Sequence, residues 1–280
     1  MEDYRYCDLH IHTIFSDGLY SPEEVVRKAK ELGFSAIGIA DHDAVTGIGK
    51  AIKEGEKLGI EVIPACEFSC LMEDKDVHIL GYLLDYQNPS LESFLKKVQD
   101  KRIERAEKII GNLSKQGIKI KLERVLEIAK NGSVGRPHIA QALLEEGYVS
   151  TIEEAFMKFI GYHSPAYVPK MEISPEEALK IIRDFKGIPV LAHPVSYDFE
   201  KIIFPLIKLG ILGIEVYHPD HTEYHINYFS EIAKKYNLLI TGGSDCHGGR
   251  KGKLFMGEIK LPYFHLERLK EKKKQLFLDI

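Results

Sequence analysis

The chain has 280 residues, 44% hydrophobic and 29% charged, with a formal net charge of −4. That length buries a large core as one α/β domain, or as one domain carrying an insertion. The slight charge does not advertise nucleic acid or a membrane surface as a partner, and no apolar run approaches the ~20 residues of a membrane span.

The first expected element is a short buried strand over residues 6–11, leading through Cys7-Asp8-Leu9-His10-Ile11-His12. Strand side chains alternate, so His10 and His12 leave one face about 7 Å apart along the backbone. Asp17 follows in a Ser-Asp-Gly turn, where a carboxylate can swing back over the strand end. Ser21-Pro22-Glu23-Glu24 starts a helix, with a Ser cap, Pro in the first turn and Glu at the third position. It runs to about Leu32 and stops at Gly33. Ser35 to Ala40 is a buried strand ending in Asp41-His42-Asp43, and a helix follows from about Gly47 to Leu58. Strand Ile60 to Ala65 leads into Cys66-Glu67, and Val77 to Leu84 is a fourth strand with His78 near its start. Such alternation implies parallel strands with helices packed outside them.

From Ser90 to about Lys170 only helical periodicity is found. Leu91, Phe94, Leu95 and Val98 form one apolar stripe, and Ala106, Ile109, Ile110 and Leu113 another. Shorter helices are expected near 122–130, 137–146 and 151–160, broken by Gly132, Gly147 and Gly161. Residues 91–170 therefore read as a helical insertion, flanked by barrel segments 1–90 and 171–280. The α/β rhythm resumes with a helix capped by Ser174-Pro175-Glu176-Glu177. Strand Ile188 to Ala192 ends in His193-Pro194, and Leu212 to Val216 ends in Tyr217-His218-Pro219. Leu238 to Gly242 ends in Ser244-Asp245-Cys246-His247, Met256 to Lys260 is a last extended piece, and a Lys-rich helix closes the chain. About seven βα units result, enough to close a distorted barrel.

Histidine is the unusual count, at 12. A lone HxH is more often one packed and one solvated histidine, but here the pattern recurs at strand end after strand end. His10, His12, His42, Glu67, His193, Asp245 and His247 sit there, with His78 on the fourth strand and Asp17 in the first loop. In parallel βα barrels the loops after the strands converge on one face. Nine N/O donors exceed the needs of one or two tetrahedral metals and suit three Zn, Mn or Fe ions. Cys246 points away from its neighbours Asp245 and His247 and reads as a packed thiol, as does Cys66. Four cysteines with no CxxC pair, and a polar, acidic start unlike a signal peptide, lead us to expect a cytoplasmic protein. Asp8, Asp41 and Asp43 are expected to orient imidazoles rather than bind metal.

The set DLHIHT-x3-DG, ADHD, ACEFS, HILGY, LAHP and GGSDCHG resembles the PHP (polymerase and histidinol phosphatase) family of metal-dependent phosphoesterases. The likeness is closer to the subgroup whose helical insertion carries GRPHIA, here Gly135 to Ala140. That resemblance implies a (β/α)7 TIM-like barrel of α/β class and hydrolysis of a phosphate ester by a metal-activated water. It implies a nucleotide or short oligonucleotide substrate, of the 3′,5′-bisphosphonucleotide type or an RNA trimmed 5′–3′. His10, His12, Glu67 and Asp245 would hold the first metal; Glu67, His78 and His193 the second; Asp17, His42 and His247 the third.

The chemistry agrees independently, because phosphate ester hydrolysis needs an activated water and neutralised non-bridging oxygens, which neighbouring divalent ions supply. Three carboxylates against three divalent ions leave the site at about +3, a cationic pocket in an acidic chain. Arg136 follows the loop Asn131-Gly132-Ser133-Val134-Gly135 at a helix start, and is expected to clamp a second, non-reacting phosphate, with His138 beside it. His218 and Arg250 are further candidates for substrate contact. No membrane contact and no stable protein partner is expected. Histidinol-phosphate phosphatase, or a non-catalytic metal-binding module, are the competing readings.

Overall fold

The computed structural model describes residues 5–73, 75–130, 132–169, 173–249 and 256–277. The chain opens with strands β1 (Tyr6–Ile11), β2 (Ala36–Ile39), β3 (Glu61–Met72) and β4 (Lys75–Tyr82), with helices α1 (Pro22–Glu31) and α2 (Ile48–Leu58) between the first three. The helical stretch follows as α3 (Pro89–Lys115), α4 (Leu122–Ala129), α5 (Arg136–Glu145) and α6 (Ile152–Ala155), the last running into a π-helical turn at Phe156–Ile160. Helix α7 (Pro175–Asp184), β5 (Ile188–Leu191), α8 (Phe199–Leu209), β6 (Gly213–Tyr217), α9 (Glu223–Tyr236), β7 (Leu239–Gly242), β8 (Leu261–Pro262) and α10 (Phe264–Phe277) complete it. The caps expected at Ser21 and Ser174 both form, each with a reciprocal Glu three residues on.

The strands lie in the order β7-β6-β5-β4-β3-β2-β1-β8. Just beyond β7, Cys246 pairs with Ile11, and the His12 amide donates to the Cys246 carbonyl at 3.0 Å. The sheet thus curls until its ends meet, a distorted TIM-like barrel. Uniformly parallel strands, however, do not occur. β4 runs antiparallel to both β3 and β5. A parallel return needs a crossover of about a dozen residues or more, and only residues 73–74 separate β3 from β4. A hairpin is the only solution. β3 also continues past Ala65, so Glu67 lies within the strand. The last extended piece is displaced as well: Met256–Glu258 form a turn with Gly257 at φ 98°, and the strand is Leu261–Pro262, antiparallel to β1.

Leu9, Ile63, Leu80, Tyr82 and Val190 fill the barrel interior, while Val25, Ile48, Ile79, Leu179 and Phe229 belong to the cluster between strands and outer helices. The helical stretch has a core of its own, including Ala106, Ile109, Leu113, Val125, Ile139 and Leu143. α3 serves two cores: its Leu91 and Leu95 pack with the barrel, its Ile109 and Leu113 with the helical stretch. Among the described residues, no helix is long and apolar enough to cross a membrane.

Candidate metal centre

The β1 register delivers His10 and His12 to one face as the alternation requires, their Nε2 atoms 3.1 Å apart. Glu67 Oε2 lies 3.3 and 3.2 Å from those two nitrogens, and Asp245 Oδ1 lies 3.6 and 3.0 Å from them. Glu67 Oε1, the other oxygen, is 2.9 Å from both His78 Nδ1 and His193 Nε2, which are 3.3 Å apart. Asp17 Oδ1 lies 3.2 Å from His247 Nε2 and 3.9 Å from His42 Nε2. All nine expected donors therefore meet at one rim, with Glu67 between the groups.

These spacings discriminate between ligands and ordinary neighbours. Two ligands held at about 2.0–2.1 Å from one tetrahedral ion sit about 3.3 Å apart. The first two groups match that without movement; the third is wider. His42 is shared, because its Nδ1 is also 3.0 Å from Glu67 Oε2, and His12 Nδ1 is 3.9 Å from Asp17 Oδ1. Yet Glu67 Oε2, His42 Nδ1 and Asp17 Oδ1 are buried with no aligned hydrogen-bond partner among the described residues. Lone pairs that approach to 3.0 Å without sharing a hydrogen are arranged as ligands of a common cation. The donor set fits divalent metal.

Electrostatics follow. Burial would lower His10 and His12, but Glu215 and Glu67 hold His10 well above its usual value, and Asp245 and Glu67 lift His12 to about 9. Burial would likewise raise Glu67 and Asp17, yet the facing imidazoles hold both well below the carboxylate range.

Several supporting residues escaped the sequence reading. Glu215, fully buried in β6, is 3.1 Å by Oε1 from His10 Nδ1, while its Oε2 accepts the His193 amide at 2.8 Å. Such a partner fixes which nitrogen of His10 faces the centre. Tyr197 accepts the His78 amide at 2.9 Å and lies 3.1 Å from His193 Nδ1. Of the aspartates expected to orient imidazoles, only Asp41 does so, indirectly: it accepts from Ser16 Oγ at 2.6 Å, which is 3.4 Å from His12 Nδ1. Asp8 instead takes the Ser244 and His10 amides, and Asp43 pairs with Arg102. Cys66 and Cys246 are buried free thiols, pushed upward by burial.

The backbone is strained where two of the candidate ligands leave the sheet. His193 (φ 25°) and Asp245 (φ 47°) adopt left-handed conformations rare outside glycine. Gly243 passes so close to β1 that an added Cβ would stand 2.4 Å from the His10 backbone nitrogen.

A cavity of about 290 Å³ opens over the centre, and its lining brings together His42, His78, His193 and Asp245 with Arg136, Asp76, Tyr162 and His218. Arg136 donates to Asp76 Oδ2 at 3.1 Å and to the Ile160 carbonyl at 3.3 Å, with the rings of Phe156, Tyr162 and Tyr167 5.3–5.5 Å away. His218 shares the wall, its Nε2 3.8 Å from Asp245 Oδ2. His138 does not line this cavity. It is buried, and its Nδ1 accepts the Gly135 amide at 3.0 Å, capping its own helix. Arg250 lies outside the described residues. A second cavity, about 200 Å³, is lined by Phe94, Val98, Ile181 and Arg102; it holds none of the clustered histidines, so the chemistry belongs to the first.

The sequence profile of the PHP domain matches residues 8–188. The 5'-3' exoribonuclease Rnm of Salmonella typhimurium is 31% identical over 247 residues, covering 86% of this chain and 84% of its own length. The 3',5'-nucleoside bisphosphate phosphatase of Chromobacterium violaceum is 30% identical over 251 residues, 88% of each chain. Among solved structures, a Bifidobacterium adolescentis protein assigned to the metal-dependent phosphoesterases superposes with a TM-score of 0.86 at 30% identity, covering 95% of both chains. A curled sheet with its donors at the strand ends, and relatives matched along nearly the whole length, lead to one statement: the chain belongs to the PHP domain family and is a metal-dependent hydrolase of phosphate esters.

Proposed function

We propose that the substrate is a nucleotide carrying two phosphates, of the 3′,5′-bisphosphate type, one cleaved at the histidine cluster and the other held by Arg136. The observation that carries this is that one guanidinium and members of the histidine cluster line a single cavity. Ile160 and Asp76 take two of its donors, and an arginine offers five, so three are left for an anion. The Chromobacterium violaceum relative is named for this substrate, and the Salmonella typhimurium relative for a 5'-3' exoribonuclease activity.

His10, His12, Glu67 and Asp245 would hold one divalent ion, Glu67, His78 and His193 a second, and Asp17, His42 and His247 a third. Ions in such a cage supply an activated water and neutralise the phosphate oxygens. Glu67 and Asp245 bring the negative charge that would retain them, Glu215 fixes the His10 ring, and His218 lines the cavity with its Nε2 3.8 Å from Asp245 Oδ2. Elemental analysis after purification without chelator and reconstitution should give more than two equivalents per chain. A stable value of one or none removes the three-ion reading.

Arg136→Ala tests the substrate class. Loss of one charge-assisted bidentate contact should cost about 1.5–3 kcal/mol, roughly 10- to 150-fold in kcat/KM, on a 3′,5′-bisphosphonucleotide. An aryl phosphate carrying only the reacting group should fall far less. Equal losses on both would place Arg136 at the reacting phosphate or in folding, and no loss on either would leave it only the partner of Asp76. A 5′-phosphorylated short RNA and histidinol phosphate belong in the same panel, and preference for histidinol phosphate would overturn the nucleotide reading.

A further inference from the structure

We propose that Arg102 of α3 is a positioning residue that fixes the spacing between the histidine cluster and Arg136. This rests on the reading of Arg136 as the seat of the uncleaved phosphate, and it names the device that sets how far that seat stands from the reacting one.

One guanidinium joins three segments. Its Nε donates to Asp43 Oδ2 at 2.9 Å, and its Nη2 contacts the same oxygen and Ser69 Oγ, the latter at 2.7 Å. Its Nη1 donates to the Val134 carbonyl at 3.1 Å. Asp43 directly follows His42, is held at φ 47°, and donates its amide to the Glu67 carbonyl at 3.0 Å. Ser69 lies two residues beyond Glu67, on the same face of β3, and its amide donates to Asp43 Oδ1 at 3.0 Å. Val134 lies two residues before Arg136, in the loop that feeds α5. One turn before Arg102 along α3, Gln99 donates to the Asp43 carbonyl at 3.0 Å. The pair is largely dry, with the Asp43 side chain fully buried and Arg102 13% exposed.

A residue serving only to neutralise Asp43 would need one of these contacts. The planar fork makes all of them at once, so the loop bearing His42 and the loop bearing Arg136 cannot shift apart without breaking a charge-assisted bond. Lysine cannot reproduce this. It keeps the charge opposite Asp43 but offers no second arm to Val134.

The test is a cycle of Arg102→Lys, Arg136→Ala and the double variant, each reconstituted with manganese. kcat/KM is measured on adenosine 3′,5′-bisphosphate and on 3′-AMP and 5′-AMP, the better hydrolysed of the two monophosphates serving as the substrate that carries only the reacting group, and metal equivalents are counted. Lysine is chosen because Arg102→Ala leaves a buried, unpaired carboxylate and threatens folding. Arg102→Lys should lower the bisphosphate-to-monophosphate ratio roughly three- to tenfold, and should lower it little further in the Arg136→Ala background. An unchanged ratio, fully additive losses, or equal losses on both substrates accompanied by loss of metal would overturn the positioning role. If Arg136→Ala itself leaves the ratio unchanged, the reading of Arg136 fails and takes this proposal with it. If Arg136→Ala lowers the ratio and Arg102→Lys does not, only the positioning role is lost.

Discussion

Nine donor groups crowd together at one rim of the barrel, most of them within a strand or just beyond one, with Asp17 in the turn that follows β1. In the lining of the same cavity Arg136 stands at the start of a helix, with three aromatic rings about it and a core beneath it that is separate from the barrel's. The ligand side is held by backbone pairing, as where the His12 amide meets Cys246 and the Asp43 amide meets Glu67. The arginine side is held mainly by side chains, Asp76 and the Arg102 fork among them, with one backbone bond from the Ser133 amide to the Phe15 carbonyl. Groups that share an ion must keep spacings to a few tenths of an ångström, and paired strands provide that. Recognition of a second phosphate, the role proposed for Arg136, tolerates more slack, and helices packed on their own core would suffice for it.

The sharpest way to break this comparison is at the shared ligand. Glu67→Gln and Asp245→Asn keep volume while removing an anionic donor, and turnover should nearly vanish, a loss of several kcal/mol in transition-state stabilisation. Retention of more than about a tenth of activity by either variant, folded by circular dichroism, would remove it from the centre. On the helical side, Leu113→Ala should lower unfolding free energy by about 2–5 kcal/mol with metal equivalents unchanged. Denaturant titration and elemental analysis read the two, and metal loss in the folded variant would show that the ligand side depends on the helical core. Glu215→Gln should weaken metal binding about 10- to 100-fold, followed by competition with a chelator. An unaltered affinity would mean that His10 is oriented without it. Tyr197→Phe removes a neutral hydrogen bond near His193, and about 1 kcal/mol, several-fold in metal affinity, is expected. A loss as large as that of Glu215→Gln would contradict the ranking of charged over neutral support.

The proposed ligands were legible because most sit just beyond a strand in a short polar motif that follows an apolar run, and Glu67 and His78 are polar residues set inside apolar strands. Glu215 was not. It is a single acidic residue inside Gly213–Tyr217, and its meaning depends on β6 facing His10 across the barrel. Asp43 was read as an imidazole partner from its place beside His42, whereas its partner comes from α3, far along the chain. His138 belonged to a motif but turned inward to cap its own helix. The direction of β4 was legible in principle, since the short stretch between Glu67 and Val77 leaves no room for a crossover helix. Alternation of strand and helix was extended one unit too far.

Helix α3 has a thermodynamic consequence. At 27 residues it is a rod about 40 Å long, with one end buried against the barrel and the other against the helical core. Melting either core strips packing from a segment the other also uses, and a helix end stripped of tertiary contacts is marginal in water. Two apolar cores joined in this way unfold as one cooperative unit. A calorimetric trace should show a single transition, with no populated state in which the barrel persists and the helical stretch has come apart.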